Sequence, residues 1–339
     1  MIVILGAGVI GLSTAYYIKQ TSPGTSIVII AEEFPREGEL SSSYTTSKSG
    51  AHFRPFPSKN DDERRDAELT RDTYEFFKKL SVEHPESSIK FIRGIDYIEY
   101  DNEFYESLGS GFTEVVEDFK VLEKRELPRN VKFGAEYKTW SIDPHKYVTF
   151  LFNYLLMHGV KMINKHVESL LDIEKEYPEG TIVNATGFGF DDDSVYSIRG
   201  QTLLVRPPIE DLREFEDKTV TYQLENGEWC FVIPRPLNGG IILGGTKDIK
   251  NKSKEVDYNE ISTLIENARL RFPELFYDNG KLEILRVNVG FRPSRNGGVR
   301  LEKIGCVVHV YGFGGSGIEM SWGAAIRAGN LALRSGGLL

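Results

Sequence analysis

Cysteine is nearly missing from this 339-residue chain: Cys230 and Cys306 are too few for a disulfide framework or a cysteine metal cluster. Both have strand-like neighbours, so packing inside a sheet is their expected role. Six histidines are scattered without H-x-x-x-H or related spacing, so no metal is expected. Cations are in deficit: 41 Lys and Arg against 50 Asp and Glu leave a net charge of −9. That balance argues against non-specific binding to nucleic acid or to an anionic membrane. No internal repeat of about 20–50 residues is present. Downstream of the opening, no apolar run approaches the about 20 residues of a membrane span.

What the chain has in quantity is glycine, 33 residues, and three of them come early. The opening "MIVILGAGVIGLSTAYYI" has no basic segment before it, as an export signal requires, and Ser13 and Thr14 interrupt it as a membrane helix. It fits a nucleotide-binding turn. Ile2 to Leu5 is a short apolar run of the kind a buried parallel strand shows. Gly6, Gly8 and Gly11 follow at G-x-G-x-x-G spacing, and Leu12 to Gln20 is predicted helical. The glycines allow a tight turn, a close approach to pyrophosphate, and close packing of helix on strand. The motif also requires an acid at the end of the next strand to hold ribose hydroxyls. Ile27 to Ile30 is that strand, and Glu32 and Glu33 follow it. An acid there favours NAD or FAD over NADP.

Gly38 to Asp66 is polar, contains two prolines, and is expected to be a long functional loop. Helices are predicted over 67–80, 145–160 (ended by Gly159) and 258–272. Strands are predicted over 91–100, 161–171 with its flanks, 201–205, 229–233, 240–243 and 283–289, with a hairpin turn at 234–240. "TIVNATGF" (181–188) runs from a strand into a small-residue turn that would open into a binding crevice. "VVHVYGFGGSGIEMSWGAAIRAGNLAL" is a strand, a glycine-rich turn and a helix. Nucleotide-binding elements thus come from both ends and the middle of the chain. The expected fold is α/β, a Rossmann-like FAD-binding domain (1–80, 140–200 and 290–339) interleaved with a strand-rich α+β substrate domain (81–139 and 201–289). A contiguous NAD dehydrogenase fits this layout less well than a flavoprotein.

The stretches "VILGAGVIGLSTAY", "SSSYTTSKSGAHFRPF", "VNATG", "IRGQTLLV", "FVIPRPLNGGIILGGT", "VGFRPSRNGGVRLE" and "VYGFGGSGIEMSWGAA" together resemble the D-amino-acid oxidases and D-aspartate oxidases, most closely the fungal ones. The resemblance implies noncovalently bound FAD and oxidation of the Cα–N bond of a D-amino acid by hydride transfer to the flavin. Hydrolysis then gives a 2-oxo acid and ammonia, and dioxygen is converted to hydrogen peroxide. It implies cofactor contacts at Gly6, Ala7, Gly8, Val9, Ile10 and Gly11, at Glu32 and Glu33, and at Thr45, Thr46, Ser47 and Gly50. Further contacts are expected at Val167, Thr186 and Gly187, and at Gly314, Gly315, Gly317, Ile318 and Glu319.

By the same resemblance, Arg295 of "FRPSR" is the expected carboxylate clamp and Arg292 a structural residue. Gly315 and Ser316 are expected near the substrate amino group. Two positions depart from the family pattern. Phe231 replaces a substrate-contacting tyrosine, for which Tyr222 is the candidate substitute, and Glu319 replaces a Thr or Gln. Arg54, His52 and Lys247 match positions around the substrate side chain and tilt the expectation toward an acidic D-amino acid. A neutral-selective oxidase, a glycine- or sarcosine-type amine oxidase and a non-enzymatic flavoprotein are the alternatives. Relatives are commonly peroxisomal, but the chain ends "SGGLL" without an S-K-L-type tripeptide, so a cytoplasmic location is the other expectation. Oligomeric state is left open.

Overall fold

The computed structural model describes residues 1–35, 38 and 40–334. In chain order the first elements are β1 (Ile2–Leu5), α1 (Val9–Thr21), β2 (Ile27–Ala31), α2 (Asp61–Glu83), β3 (Lys90–Ile98), α3 (Glu103–Glu106), β4 (Lys120–Val121) and β5 (Phe133–Ser141). Next come α4 (Pro144–Met157), β6 (Lys161–Asn164), α5 (Leu170–Glu176), β7 (Thr181–Asn184), β8 (Val195–Arg206), α6 (Leu212–Glu216) and β9 (Lys218–Gln223). The chain continues with β10 (Trp229–Pro234), β11 (Ile241–Gly244), α7 (Tyr258–Arg271), β12 (Glu283–Arg295), β13 (Arg300–Ile304), β14 (Val307–Tyr311) and α8 (Ser321–Leu333).

Among the described residues the strands form two sheets. The first has the order β13-β14-β7-β1-β2-β6, parallel except for β13. Its central strands are buried on both faces, which is why they are nearly continuous Ile, Val and Leu. β1 pairs with β2 on one side and β7 on the other. The chain therefore reverses direction across the sheet at β1, and the crevice beyond the strand's C-terminal end is where ligands bind in such sheets. α1, α2, α4 and α8 cover one face around Leu12, Tyr16, Phe77, Leu151 and Ala324, all essentially buried.

The second sheet, β12-β8-β11-β10-β9-β3-β5-β4, is mostly antiparallel. α7 packs on one of its faces through Leu264 and Ala268, joined by Phe272 just past the helix end. β12 pairs with β8 along its whole length, and its end is stitched to the turn after β14: Ser294 bridges Phe313, and the Gly314 N–H donates to the Pro293 carbonyl (2.7 Å). The two sheets thus meet at the end of β12.

Local chemistry moved two boundaries. α2 starts at Asp61, inside the expected loop, because the Asn60 side chain accepts from the Glu63 N–H (2.9 Å) and three acids occupy the first turn. The strand expected over 161–171 stops at Asn164, and Ser169 caps α5 through the Leu171 N–H. No helix among the described residues is long and apolar enough to cross a membrane, and no metal-holding cluster is found among them.

α2 and α8 touch at Gly323, where a Cβ would stand 2.4 Å from the Leu69 carbonyl oxygen. Thr73 of α2 also accepts from the Trp322 and Gly323 N–H groups. Gly323→Ala is therefore expected to force the helices apart and cost about 1–3 kcal/mol, read as a lower denaturation midpoint in urea.

Candidate active site

A cavity of about 1490 Å³ runs from the C-terminal end of β1 to the face of the second sheet. One end is the glycine turn. Gly6 has φ +98°, and a Cβ there would lie 2.6 Å from the Ala185 carbonyl oxygen, so only glycine lets β1 turn against β7. A Cβ on Gly11 would lie 2.0 Å from the Gly6 oxygen. Gly11 does not line the cavity; it serves by letting α1 close on β1. Gly8 caps α1 without a side-chain partner and opens the helix N-terminus to the cavity. Thr46 lies beside it, its hydroxyl accepting from the Val9 N–H (3.2 Å). Ala7, Val9 and Ile10 complete this wall.

The two acids after β2 divide their work. Glu33 is held by the Ser41 N–H and hydroxyl, whereas Glu32 is exposed and paired with His166 across the cavity end that Val167 also lines. Thr186 and Gly187, at the end of β7, face them. On the opposite side, Thr45 donates to the Phe291 carbonyl (2.6 Å), and Gly50 lies under Ile233 and Phe231. Ser47 is buried behind the wall, its hydroxyl bonded to the Tyr44 carbonyl, and is not a cavity residue. Arg235 fixes this loop by donating to the Ser47 and Ser49 carbonyls. An open helix N-terminus, an exposed carboxylate at the end of the next strand and a glycine turn at β7 fit the pyrophosphate and ribose of FAD. Those residues would hold that half of the cofactor.

The other end of the cavity corrects the expected clamp. Arg295 does not line it. Its guanidinium donates to Asp192 (3.0 Å) and to the Gly298 carbonyl (3.3 Å), and Tyr311 also donates to Asp192 (2.9 Å). Burial works against the charge on Asp192, but these hydrogen bonds outweigh it and hold the carboxyl down at about 2. Arg292 lines the cavity instead. It lies over Gly200, where a Cβ would stand 2.3 Å from Nη1, and donates to the Thr246 carbonyl (3.2 Å). No carboxylate pairs with it among the described residues, and burial alone lowers its pKa. A guanidinium remains charged under such a shift, so it presents a cation with an open fork to the cavity.

Tyr222 is also corrected. In the β9–β10 ladder it stands opposite Cys230, and both point into the core under α7, with Phe272 and Arg271 against the tyrosine ring. Phe231 has the opposite facing and lines the cavity, its ring seated on Gly244 and Gly245. The Phe231 wall therefore has no tyrosine hydroxyl supplied by Tyr222.

Arg54, His52 and Lys247 all line the cavity. Arg54 brings its own counterion: Nε is 2.9 Å from Asp96, and Nη2 donates to Tyr105 (2.9 Å) while Trp229 lies over the guanidinium at 4.8 Å. Burial opposes the Arg54 charge, but Asp96 and the tyrosines outweigh it, and its pKa is raised. His52 is pushed down to about 3 by burial and by Arg54, so it is neutral. Thr219 donates to the Val232 carbonyl and so accepts from His52 Nδ1. Lys247 is exposed and has no ion-pair partner among the described residues.

The last wall is the turn 314–319. Gly314 adopts φ +55°, Gly315 lies against Arg292, and Ser316, Gly317 and Ile318 follow along the cavity. Glu319 closes the turn, its carboxylate accepting from the Arg54 N–H (2.9 Å) and bonding to Ser316. Trp229 and Phe56, which also line the cavity, escaped the sequence reading because isolated aromatics in strands and loops carry no motif. Arg199, by contrast, is wholly buried. It binds Glu260 and the Ser253 and Glu255 carbonyls, and so shapes the outer rim.

A family model described as FAD dependent oxidoreductase (DAO) matches residues 1–330. A D-aspartate oxidase from Talaromyces thermophilus is 34% identical, over 98% of this chain and 95% of its own. A D-amino-acid oxidase from Schizosaccharomyces pombe is 32% identical, over 98% and 96% respectively. Among solved structures, glycine oxidase from Geobacillus kaustophilus superposes with a TM-score of 0.73 at 17% identity, over 98% of this chain and 94% of that one. The L-proline dehydrogenase from P. horikoshii gives 0.73 at 16%, over 98% and 92%. These structural likenesses speak for the shared fold. The chain belongs to the DAO family of FAD-dependent oxidoreductases.

Proposed function

We propose that the protein catalyses FAD-dependent oxidative deamination of a D-amino acid, with Arg292 binding the substrate α-carboxylate. The observation that carries this is the guanidinium of Arg292 on the cavity wall with no carboxylate paired to it among the described residues. A planar fork in a poorly hydrated site suits a bidentate carboxylate. Bound FAD supplies the two-electron oxidant and is restored by dioxygen with release of hydrogen peroxide. The chain's own part is positioning. Arg292 fixes the carboxylate, Phe231 and Trp229 supply apolar wall, and the turn 314–317 brings backbone close to the reacting carbon. The discontinuous cofactor domain (1–80, 140–200, 290–339) and the substrate domain (81–139, 201–289) are the division that suits this chemistry.

An acidic substrate side chain is the favoured choice. Arg54 is already balanced by Asp96, so the preference rests chiefly on Lys247, which has no ion-pair partner among the described residues. The other carboxylates of the outer cavity are engaged: Glu228 with Asn267, Glu260 with Arg199, and Asp248 with the Lys250 and Asn251 N–H groups. The resemblance to a D-aspartate oxidase supports the same choice.

Arg292→Ala should lower kcat/KM for D-amino acids by at least about 10²-fold, measured by peroxide release. Arg295→Ala should leave KM unchanged and lower stability. That stability deficit should shrink as pH falls from about 4 toward 2. The depressed Asp192 pKa makes its contribution full above the unfolded value and lost as the folded carboxyl takes a proton near pH 2. The opposite pattern, KM lost in Arg295→Ala and kept in Arg292→Ala, contradicts the assignment. In a substrate panel, D-aspartate should exceed D-alanine, and Lys247→Ala should raise the KM for D-aspartate alone. Equal or greater rates on D-alanine would exclude the acidic preference.

A further inference from the structure

Glu319 stands apart from the other carboxylates of the cavity. It is half-buried, with its carboxyl held by two hydrogen-bond donors, the Arg54 N–H at 2.9 Å and Ser316, and it forms no ion pair among the described residues. The cations around it are committed elsewhere. The Arg54 guanidinium turns to Asp96 and Tyr105, and Arg71 of α2 donates to the Gly111 carbonyl and lies over Phe53. His52, two residues from Arg54, is neutral. Glu319 shares the turn with Gly315, against which Arg292 lies. A carboxylate fixed on Arg292 therefore brings an α-ammonium, one carbon away, to the wall that ends in Glu319.

We propose that Glu319 is the base that takes the proton from the substrate ammonium before oxidation. The inference rests on the D-amino-acid reading above. An N–H bond of the ammonium breaks, its electron pair stays on nitrogen, and an O–H bond forms on the Glu319 carboxylate. The neutral amine's lone pair then stabilises the iminium left when the α-hydrogen departs with its electron pair to the bound oxidant. One proton goes to Glu319 and one hydride, the α-hydrogen with both electrons of its bond, goes to the bound oxidant, so charge and atoms balance. Burial pushes the Glu319 carboxyl up to about 7, against the hydrogen bonds from Arg54 and Ser316 and the charges of Arg54 and Arg71. A base is most effective when its pKa lies near the working pH. In this site only the ionised form, present above that value, accepts the proton.

The test is the pH profile of kcat/KM for the preferred D-amino acid, in wild type and Glu319→Gln, with the visible flavin spectrum and flavin fluorescence recording cofactor retention. Wild type should rise through a limb near pH 7. The variant should lose that limb, fall by on the order of 10²-fold near neutrality, and recover toward wild type in alkaline solution, where the free ammonium loses its own proton. A variant that keeps its flavin and falls in parallel at every pH overturns the proposal. If Glu319→Gln does not retain flavin, Glu319→Asp keeps a carboxylate and should keep a near-neutral limb; its loss overturns the proposal equally. A wild-type protein that holds flavin but oxidises no D-amino acid would remove the functional reading itself, a result separable from both.

Discussion

A cation held in the protein interior without a counterion is costly, and Arg292 is placed as one among the described residues. β12 holds it over Gly200, where no side chain larger than hydrogen fits, and among the described residues its N–H groups go to the Arg199 and Thr246 carbonyls. Much of the architecture serves that arrangement. β12 and β8 pair along their lengths, and that register sets the face of the sheet from which the arginine side chain leaves. The bridge from Ser294 to Phe313 and the Gly314–Pro293 hydrogen bond fix the end of that ladder to the turn of the other sheet. Cofactor cradle and anion site are thereby held at a set separation by backbone.

The cofactor half was legible in the sequence because its requirements are backbone requirements. Gly6 and Gly11 are demanded by atoms 2.6 and 2.0 Å away, and Glu32 by its place at the end of β2. The substrate half depends on which face of a strand a residue occupies, and that is set by pairing rather than by motif. Arg292 and Arg295 are three apart on β12 and therefore point to opposite faces. One faces the cavity, while the other meets Asp192, which lies more than a hundred residues earlier in the chain. Likewise Tyr222 stands opposite Cys230, not Phe231, so its ring enters the core under α7. A residue pattern read along the chain carries neither the partner strand nor Asp192. The early start of α2 was different: Asn60 followed by three acids is a local signal that the polar character of the segment obscured.

Charge along the cavity is graded by burial and pairing. At the nucleotide end the exposed Glu32 and His166 face one another. Toward the second sheet, Arg54 and Asp96 neutralise each other behind Trp229, and His52 is kept neutral. That leaves Arg292 and the exposed Lys247 as positive charges on the wall and Glu319 as a group able to change its charge near neutrality. The pair of Arg292 and Glu319 suits a zwitterionic ligand, whose carboxylate needs a permanent partner and whose ammonium must shed a proton.

The most direct measurement is the absorbance of the flavin-loaded protein under anaerobic conditions when single amino-acid enantiomers are added. A D-amino acid should bleach the flavin, its L-enantiomer should not, and the colour should return on admitting oxygen with formation of hydrogen peroxide. A flavin left oxidised by every D-amino acid, or bleached equally by the L-enantiomer, would contradict it.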